Sequence, residues 1–173
     1  GTLFTSGKVF ESIDTILDEV PDLEQTLENF FSIVVLFVSR NVPDSGFIEH
    51  LLVDKIIGAS EEWLNVGNSF SEVHQRIIKW LSELRKFAQA LELSESKDFP
   101  DQSDFTDELF QEIQILSEEL GHIHNFFENE EDAKKLIRWI SSDMNGAITI
   151  YMAPLLLGDE LNSKLYNSKK SVI

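Results

Sequence analysis

The sequence contains no cysteine among its 173 residues, and it has only 8 glycines and 4 prolines. Without cysteine the chain forms no disulfide, no cysteine-ligated zinc or iron–sulfur site, and no catalytic thiol. So few glycines and prolines argue against many short strands joined by turns. The longest dense apolar run, from Phe30 to Val38, is broken by Ser32. It falls well short of the roughly 20 residues that cross a bilayer.

Positive charge is also scarce, because 14 Lys and Arg face 31 Asp and Glu, for a formal net charge of −17. This balance opposes long-range attraction to nucleic acid or to an anionic membrane. The sequence holds no Gly-rich Lys-Ser/Thr loop, no Gly-x-Gly-x-x-Gly and no Gly-x-Ser-x-Gly elbow, the usual signatures of phosphate binding and acyl chemistry. What remains is a chain that is 42% apolar, with 13 Phe and 3 Trp, which is enough for the core of one ordinary domain.

Apolar residues recur at helical spacing over most of the chain, which predicts a mainly α fold built as an antiparallel helical bundle or hairpin. A first helix is expected over residues 9–20. Pro21 would begin a second helix, whose apolar run from Ile33 to Val38 would be buried on nearly all sides. After a loop at residues 41–46, a third helix is expected from Phe47 to Ile56.

Two long helices show the strongest periodicity. The first is expected from about Phe70 to Leu93, with Ser69 and Glu72 as a capping box at its start. The second is expected from Asp104 to about Phe127, and its apolar steps of four and three are typical of an antiparallel hairpin or coiled coil. The apolar stripe of this second helix comprises Phe105, Leu109, Ile113, Leu116, Leu120, Ile123 and Phe127.

The pattern changes after Asn129, where two segments with alternating side chains predict strands. Residues 136–141 and 147–152 flank turn residues that end in Asn145-Gly146, which is typical of a small β hairpin. A short helix is expected near the C-terminus at residues 159–166, and the last three residues, Ser-Val-Ile, have the character of a strand.

Glu119 and His122 form a Glu-x-x-His pair, a motif that supplies metal ligands in carboxylate-bridged di-iron bundles. Such a site needs a second motif and two more inward glutamates, and the sequence shows no second motif. A solvent-facing pair is therefore the preferred interpretation. His122 and His124 lie two residues apart, so they would face different sides of a helix.

Two clusters of basic residues stand beside tryptophans. Basic groups interleaved with aromatic ones can follow single-stranded DNA by phosphate pairing and base stacking. The alternative is that Trp80 lies in the core and that the neighbouring cations only solvate an exposed face. The candidate contacts to single-stranded DNA are Arg76, Lys79, Arg85, Lys86, Lys134, Lys135 and Arg138.

The stretch from Glu92 to Asp132 is strongly acidic, with fourteen acids and a single cation, Lys97. Such an arm repels a nucleic-acid backbone. Two interpretations stay open: the arm engages a basic partner, or it forms a plain solvated face.

The C-terminal part of the sequence resembles the DinG branch of the XPD-like superfamily 2 DNA helicases. The matching segments are Leu136–Ile140, Ala147–Leu155, Leu161–Tyr166 and Lys169–Ile173. In that family a hydrophobic-basic-Trp strand precedes a strand ending in Ala-Pro, and a helix and a Ser-Val-Ile strand then lead into a Thr-Ser-Ala-Thr-Leu motor motif. The helical region before these segments resembles the insertion called the Arch domain, by order and helical character.

The resemblance implies an Arch-like helical domain at residues 1–130 and a partial α/β segment at residues 131–173 that returns to the first motor domain. It implies a cytoplasmic bacterial parent protein, associated with the nucleoid, that hydrolyses ATP with Mg²⁺ and moves 5′→3′ on single-stranded DNA in DNA repair. This piece would help to enclose or guide the strand. It would have no catalytic residue, cofactor, metal or membrane contact of its own.

Two other hypotheses belong to different classes. One is a stand-alone acidic helical interaction module that docks a basic partner through the acidic stretch from Glu92 to Asp132. The other is a metal-dependent bundle enzyme built around Glu119 and His122.

Overall fold

The computed structural model describes residues 2–42, 48–94, 103–128 and 136–154. Within these ranges the protein is mainly α with a small antiparallel sheet, as the sequence predicts. The elements are α1 (Thr2–Asn41), β1 (Ile48–Leu52), α2 (Lys55–Gly58), α3 (Glu61–Ser94), α4 (Ser103–Glu128), β2 (Leu136–Asp143) and β3 (Ile148–Pro154). The loop expected at residues 41–46 falls largely outside the described residues, and the short helix at 159–166 and the strand at 171–173 fall wholly outside them.

The long helices form a bundle in which α3 packs against both α1 and α4. Ring contacts run in opposite directions along each pair. Phe30 of α1 contacts Phe70 of α3 and Phe37 contacts Trp63, while Trp63 contacts Phe127 of α4 and His74 contacts His124. The neighbours in the bundle are therefore antiparallel.

The prediction that Pro21 separates two helices was wrong, because α1 runs through the proline. Proline offers no N–H to the carbonyl four residues back, which is that of Leu17. Both residues are exposed, so water can satisfy this carbonyl. Packing on α3 holds both halves of α1 in place. Before the proline, the Ile16 carbonyl accepts a hydrogen bond from Trp80, and after it the Phe30 ring packs on Phe70. This tertiary packing outweighs the local break.

The apolar run from Ile33 to Val38 is buried on one side only. Val34 and Val38 lie in the core, whereas Ile33 and Leu36 are exposed by 40% and 49%. The prediction of burial on nearly all sides was therefore wrong.

The helix predicted from Phe47 to Ile56 was also wrong, because this segment contains β1 and the start of α2. β1 pairs antiparallel with β2, and Leu52 lies opposite Trp139. The partner strand lies far along the sequence, and pairing with its edge overrides the local helical spacing. Asp54 then caps α2, since its carboxylate accepts hydrogen bonds from the backbone N–H groups of Ile56 and Ile57.

Helix α3 begins at Glu61, well before the predicted start at Phe70. The capping box predicted at Ser69 was wrong, because Ser69 lies inside the helix. Ser60 supplies the cap instead: its hydroxyl accepts from the Trp63 N–H at 3.1 Å and donates to the Ile57 carbonyl at 2.6 Å. The apolar residues that recur at helical spacing along α3 are all buried or half-buried. They are Val73, Ile77, Trp80, Leu81, Leu84, Phe87, Ala88 and Leu91.

Helix α4 extends the predicted range by one residue at either end. Its most buried line runs at steps of seven through Thr106, Ile113, Leu120 and Phe127. Two members of the predicted stripe are exposed, Phe105 by 53% and Leu116 by 47%.

The predicted hairpin is confirmed. β2 pairs antiparallel with β3, and β2 is also the central strand of a three-stranded sheet in the order β1-β2-β3. The Asp143 carboxylate accepts from the N–H groups of Asn145 and Ala147, both at 2.9 Å, and so holds the turn. Gly146 adopts a φ of 76°, which glycine tolerates without steric cost.

The densest part of the core lies where α1, α3, α4 and the inner face of the sheet meet. Its rings pack at centroid distances of 5.7 Å for Phe30–Phe70 and 4.8 Å for Phe70–Phe127, and Ile140 of β2 is fully buried against this cluster. We call this cluster the aromatic base. It comprises Phe30, Phe37, Trp63, Phe70, Phe126 and Phe127.

Candidate functional site

Three of the four candidate cations on α3 are already paired with carboxylates of the chain. The Arg76 guanidinium lies 3.6 Å from Glu72, the Lys79 Nζ 3.4 Å from Glu19, and the Lys86 Nζ 3.0 Å from Glu83. These pairs are solvent-exposed on at least one side and add little stability. They do neutralise the local positive charge that would attract a phosphate.

Arg85 differs from the other three candidates on α3. It is exposed, and no ion pair joins it to another of the described residues. At 100° per residue, Arg76 and Arg85 project from opposite sides of the helix. The four cations therefore do not form one continuous basic strip.

Trp80 connects α3 to α1. Its indole N–H donates a hydrogen bond of 3.2 Å to the Ile16 carbonyl, and the ring is half-buried. This contact fits the interpretation of Trp80 as a packing residue better than that of a platform for stacking bases.

Arg138, which the sequence analysis names as a candidate DNA contact, lies in the interior of the protein. Only 7% of the residue is exposed, and its Nη1 donates a 2.7 Å hydrogen bond to the Phe126 carbonyl. That carbonyl belongs to the last turn of α4, where helix carbonyls lack intrahelical partners and the helix dipole favours a cation. Arg138 therefore closes the C-terminal end of α4 from the neighbouring strand β2, and its guanidinium is not presented to a strand outside.

The environment of the Arg138 guanidinium is largely apolar. Its central carbon lies 5.6 Å from the ring centre of Trp63 and 6.0 Å from that of Phe126, within cation–π range. Its Nε has no hydrogen-bond partner among the described residues. Burial lowers the pKa of Arg138, because desolvation disfavours the charged form. The sequence did not indicate this placement, because the partner of Arg138 is a helix terminus that the hairpin pattern does not reveal.

Lys134 and Lys135, the other two members of the second basic cluster, lie outside the described residues.

Glu119 and His122 are both exposed on α4. The histidine that meets another histidine is His124, whose ring centre lies 4.5 Å from that of His74 on α3. Both rings also approach Phe70 at the edge of the aromatic base. Within the described ranges, no three or more side chains of the ligating types converge on one point. The His74–His124 contact could not be predicted from the sequence, because it depends on how α3 and α4 align.

The outer face of the sheet, which points away from the helices, carries an aromatic pair. The Trp139 and Tyr151 rings stack at a centroid distance of 4.9 Å with 10° between their planes. Leu52 lies opposite Trp139 on the other neighbouring strand. Leu52, Ile137 and Tyr151 are exposed by 53%, 38% and 40%. We call these three residues, together with Trp139, the outer sheet face. Sequence reasoning missed the contribution of Leu52 because it assigned that residue to a helix.

Comparison of the chain with protein-family models, with curated proteins and with solved structures found no match in any of the three. A separate search for membrane-spanning segments covered the described residues, and none of their helices combines the length and apolarity needed to cross a bilayer.

Proposed function

We propose that this chain is a non-catalytic, Arch-like accessory domain of an ATP-dependent DinG-type DNA helicase. The observation that carries the proposal is the hairpin β2–β3. It contains the first of the four segments that resemble the helicase family and most of the second, and together with β1 it presents the outer sheet face to solvent.

An exposed sheet face with this composition is a surface suited to contact with another domain. Burying a fully exposed large apolar side chain contributes about 1.5–3 kcal/mol. Leu52, Ile137 and Tyr151 are each more than a third exposed, so covering them would contribute part of that value each. In the proposed parent protein, the first motor domain covers this face. The long helices α3 and α4 then extend away from that contact as a helical pair.

The proposed role in DNA handling is steric enclosure or guidance of the single strand. Three of the four cations on α3 are paired within the chain, and the net charge is −17. The motor domains would therefore make most of the phosphate contacts, and they would hold ATP and Mg²⁺. On α3, Arg85 is the residue with the best access to a strand.

A second candidate function is the stand-alone acidic helical interaction module. It is favoured by α4, which contains no Lys or Arg and exposes Phe105 and Leu116. This candidate needs no motor domain in the same polypeptide.

The test starts from the gene. Under the helicase proposal, the reading frame encodes a DEAH box upstream of Gly1 and continues past Ile173 into Thr-Ser-Ala-Thr or a close variant. The whole purified protein should then hydrolyse ATP in the presence of single-stranded DNA. A reading frame without these motor motifs, or a whole protein without DNA-stimulated ATPase, would contradict the proposal.

A variant of the whole protein tests the role of the hairpin. Leu52→Ser combined with Tyr151→Ser should reduce DNA unwinding by about tenfold or more, because the double substitution weakens the contact between the outer sheet face and the first motor domain. The ATPase should change less than unwinding, since the motor itself is intact. Leu36→Ser, at a similarly exposed site on α1, is the matched control and should leave both activities unchanged. Equal effects of the sheet and control variants would argue against this contact.

A further inference from the structure

Helix α4 carries an apolar line that is covered at one end and uncovered at the other. Phe105, Leu109 and Leu116 follow one another at steps of four and seven, so they share one flank of the helix. The same line continues through Ile123, which packs against the core. Toward the helix N-terminus the cover ends, since Phe105 is 53% exposed and Leu116 is 47% exposed. We call Phe105, Leu109 and Leu116 the α4 flank.

Acidic residues accompany the α4 flank at a fixed interval. Glu108, Glu112 and Glu119 each follow one of its apolar residues by three positions, so each lies beside its partner on the helix surface. All three are exposed. No ion pair joins them to another described residue, and α4 contains no Lys or Arg that could neutralise them locally.

The carboxylates beside the α4 flank exclude some classes of partner and favour one. A phosphate backbone or an anionic lipid surface would meet a row of carboxylates and be repelled. A second copy of this chain, with its net charge of −17, would bring acids against acids. A helix with apolar residues at steps of three and four, flanked by Lys and Arg, would satisfy both the apolar line and the carboxylates.

From these observations we infer that the α4 flank binds a basic amphipathic helix of a partner protein. The apolar side chains of that helix pack on Phe105, Leu109 and Leu116, and its cations pair with Glu108, Glu112 and Glu119. The outer sheet face lacks such a row of charges, so the two surfaces take different partners. The inference does not rest on the helicase proposal, because it uses only residues of α4.

The first experiment measures binding of the chain to a designed probe. The probe is a fluorescein-labelled 20-residue peptide of Leu and Lys, with leucines at helical steps of three and four. Fluorescence anisotropy at low and high salt gives its affinity. We expect binding that weakens with salt but persists in part, because apolar contact is not screened. A peptide of the same composition in scrambled order should bind at least about tenfold more weakly, since it offers no continuous apolar face.

Variants of the chain locate the binding surface. Phe105→Ser combined with Leu116→Ser should weaken peptide binding by about tenfold or more. Leu36→Ser is the matched control, because Leu36 is also 49% exposed but lies on α1, outside the proposed surface. Glu112→Gln should weaken binding, whereas Asp107→Asn, on another side of α4, should do so less. Circular dichroism of each variant checks that the helices are intact.

Three outcomes would overturn the inference. The first is no binding of the ordered peptide at concentrations up to about 100 μM, which is weaker than specific helix docking requires. The second is equal binding of ordered and scrambled peptides, or an equal effect of the flank and control variants, since either would indicate attraction by net charge alone. The third is self-association of the chain in sedimentation velocity that Leu116→Ser abolishes, because a second copy would then occupy the flank.

Discussion

The aromatic base and the outward-facing sides of the long helices differ in how completely they bury their apolar side chains. At the aromatic base, every ring is at most 7% exposed, and the inner face of the sheet covers the cluster. On the outward-facing sides of α1, α3 and α4, large apolar side chains are 40–78% exposed. Examples are Ile33 on α1, Leu93 on α3, and Phe105 and Leu116 on α4. The base has the packing of a self-sufficient core, whereas these exposed side chains have the composition of a contact surface.

The largest effect is expected from a truncation in the aromatic base. Phe70→Ala should lower the free energy of unfolding by about 3–5 kcal/mol, because Phe70 is 2% exposed and its removal leaves a cavity among packed rings. Ile78→Ala, at a position that is 49% exposed on the same helix, should cost less than about 1 kcal/mol. Urea denaturation measures both. A similar cost for the two variants would contradict the contrast.

Arg138 should give the next largest effect. Arg138→Ala leaves the Phe126 carbonyl without its 2.7 Å donor and opens space beside Trp63, so we expect a loss of about 2–4 kcal/mol. Arg138→Met fills most of that space without burying a charge and should cost less. If Arg138→Met costs as much as Arg138→Ala in urea denaturation, the hydrogen bond dominates and packing contributes little.

The hairpin turn should respond more weakly. Gly146→Ala forces an L side chain into a φ of 76°, and the expected loss is about 1 kcal/mol. A Cβ at this position would lie 4.0 Å from the Val35 Cγ2, an ordinary contact, so the conformation, and not a clash, sets the cost. Gly146→Asn should therefore recover part of the loss, because asparagine tolerates this region. No recovery in thermal unfolding would point to a steric cause.

The smallest effect should come from the paired cations of α3. With Arg76, Lys79 and Lys86 bound to carboxylates, only Arg85 is expected to release a counterion on binding single-stranded DNA. Replacing all four by Ala in the whole protein should reduce the salt slope of binding by about 0.7, against about 2.8 for four free cations. Anisotropy titrations over a range of salt concentrations measure this slope. A reduction of about 2.8 would show that the three ion pairs break when the protein binds DNA.

Regular, locally determined features could be predicted from the sequence. The bounds of α4 follow from its own periodicity, and the β2–β3 hairpin from its alternation and its Asn-Gly turn. The errors arise where a distant partner decides the conformation. β1 forms because β2 offers an edge, and α1 crosses Pro21 because α3 supports it on both sides.

The candidate site was less predictable than the fold, for the same reason. The basic residues on α3 and β2 could be found from the sequence, but their partners could not. Arg138 pairs with a helix terminus, and Lys79 with Glu19 on α1. Likewise, the full apolar stripe of α4 was visible, but only the packing of the bundle shows that Leu116 is uncovered while Ile113 is buried.

The most direct test of the contrast is the difference between Ile113→Ala and Leu116→Ala in urea denaturation. Both residues lie on α4 and belong to the same predicted stripe, but Ile113 is 1% exposed and Leu116 is 47% exposed. We expect Ile113→Ala to cost about 2–4 kcal/mol and Leu116→Ala less than about half of that. Equal costs would mean that Leu116 belongs to the core of the isolated chain, and that the α4 flank is not a free surface.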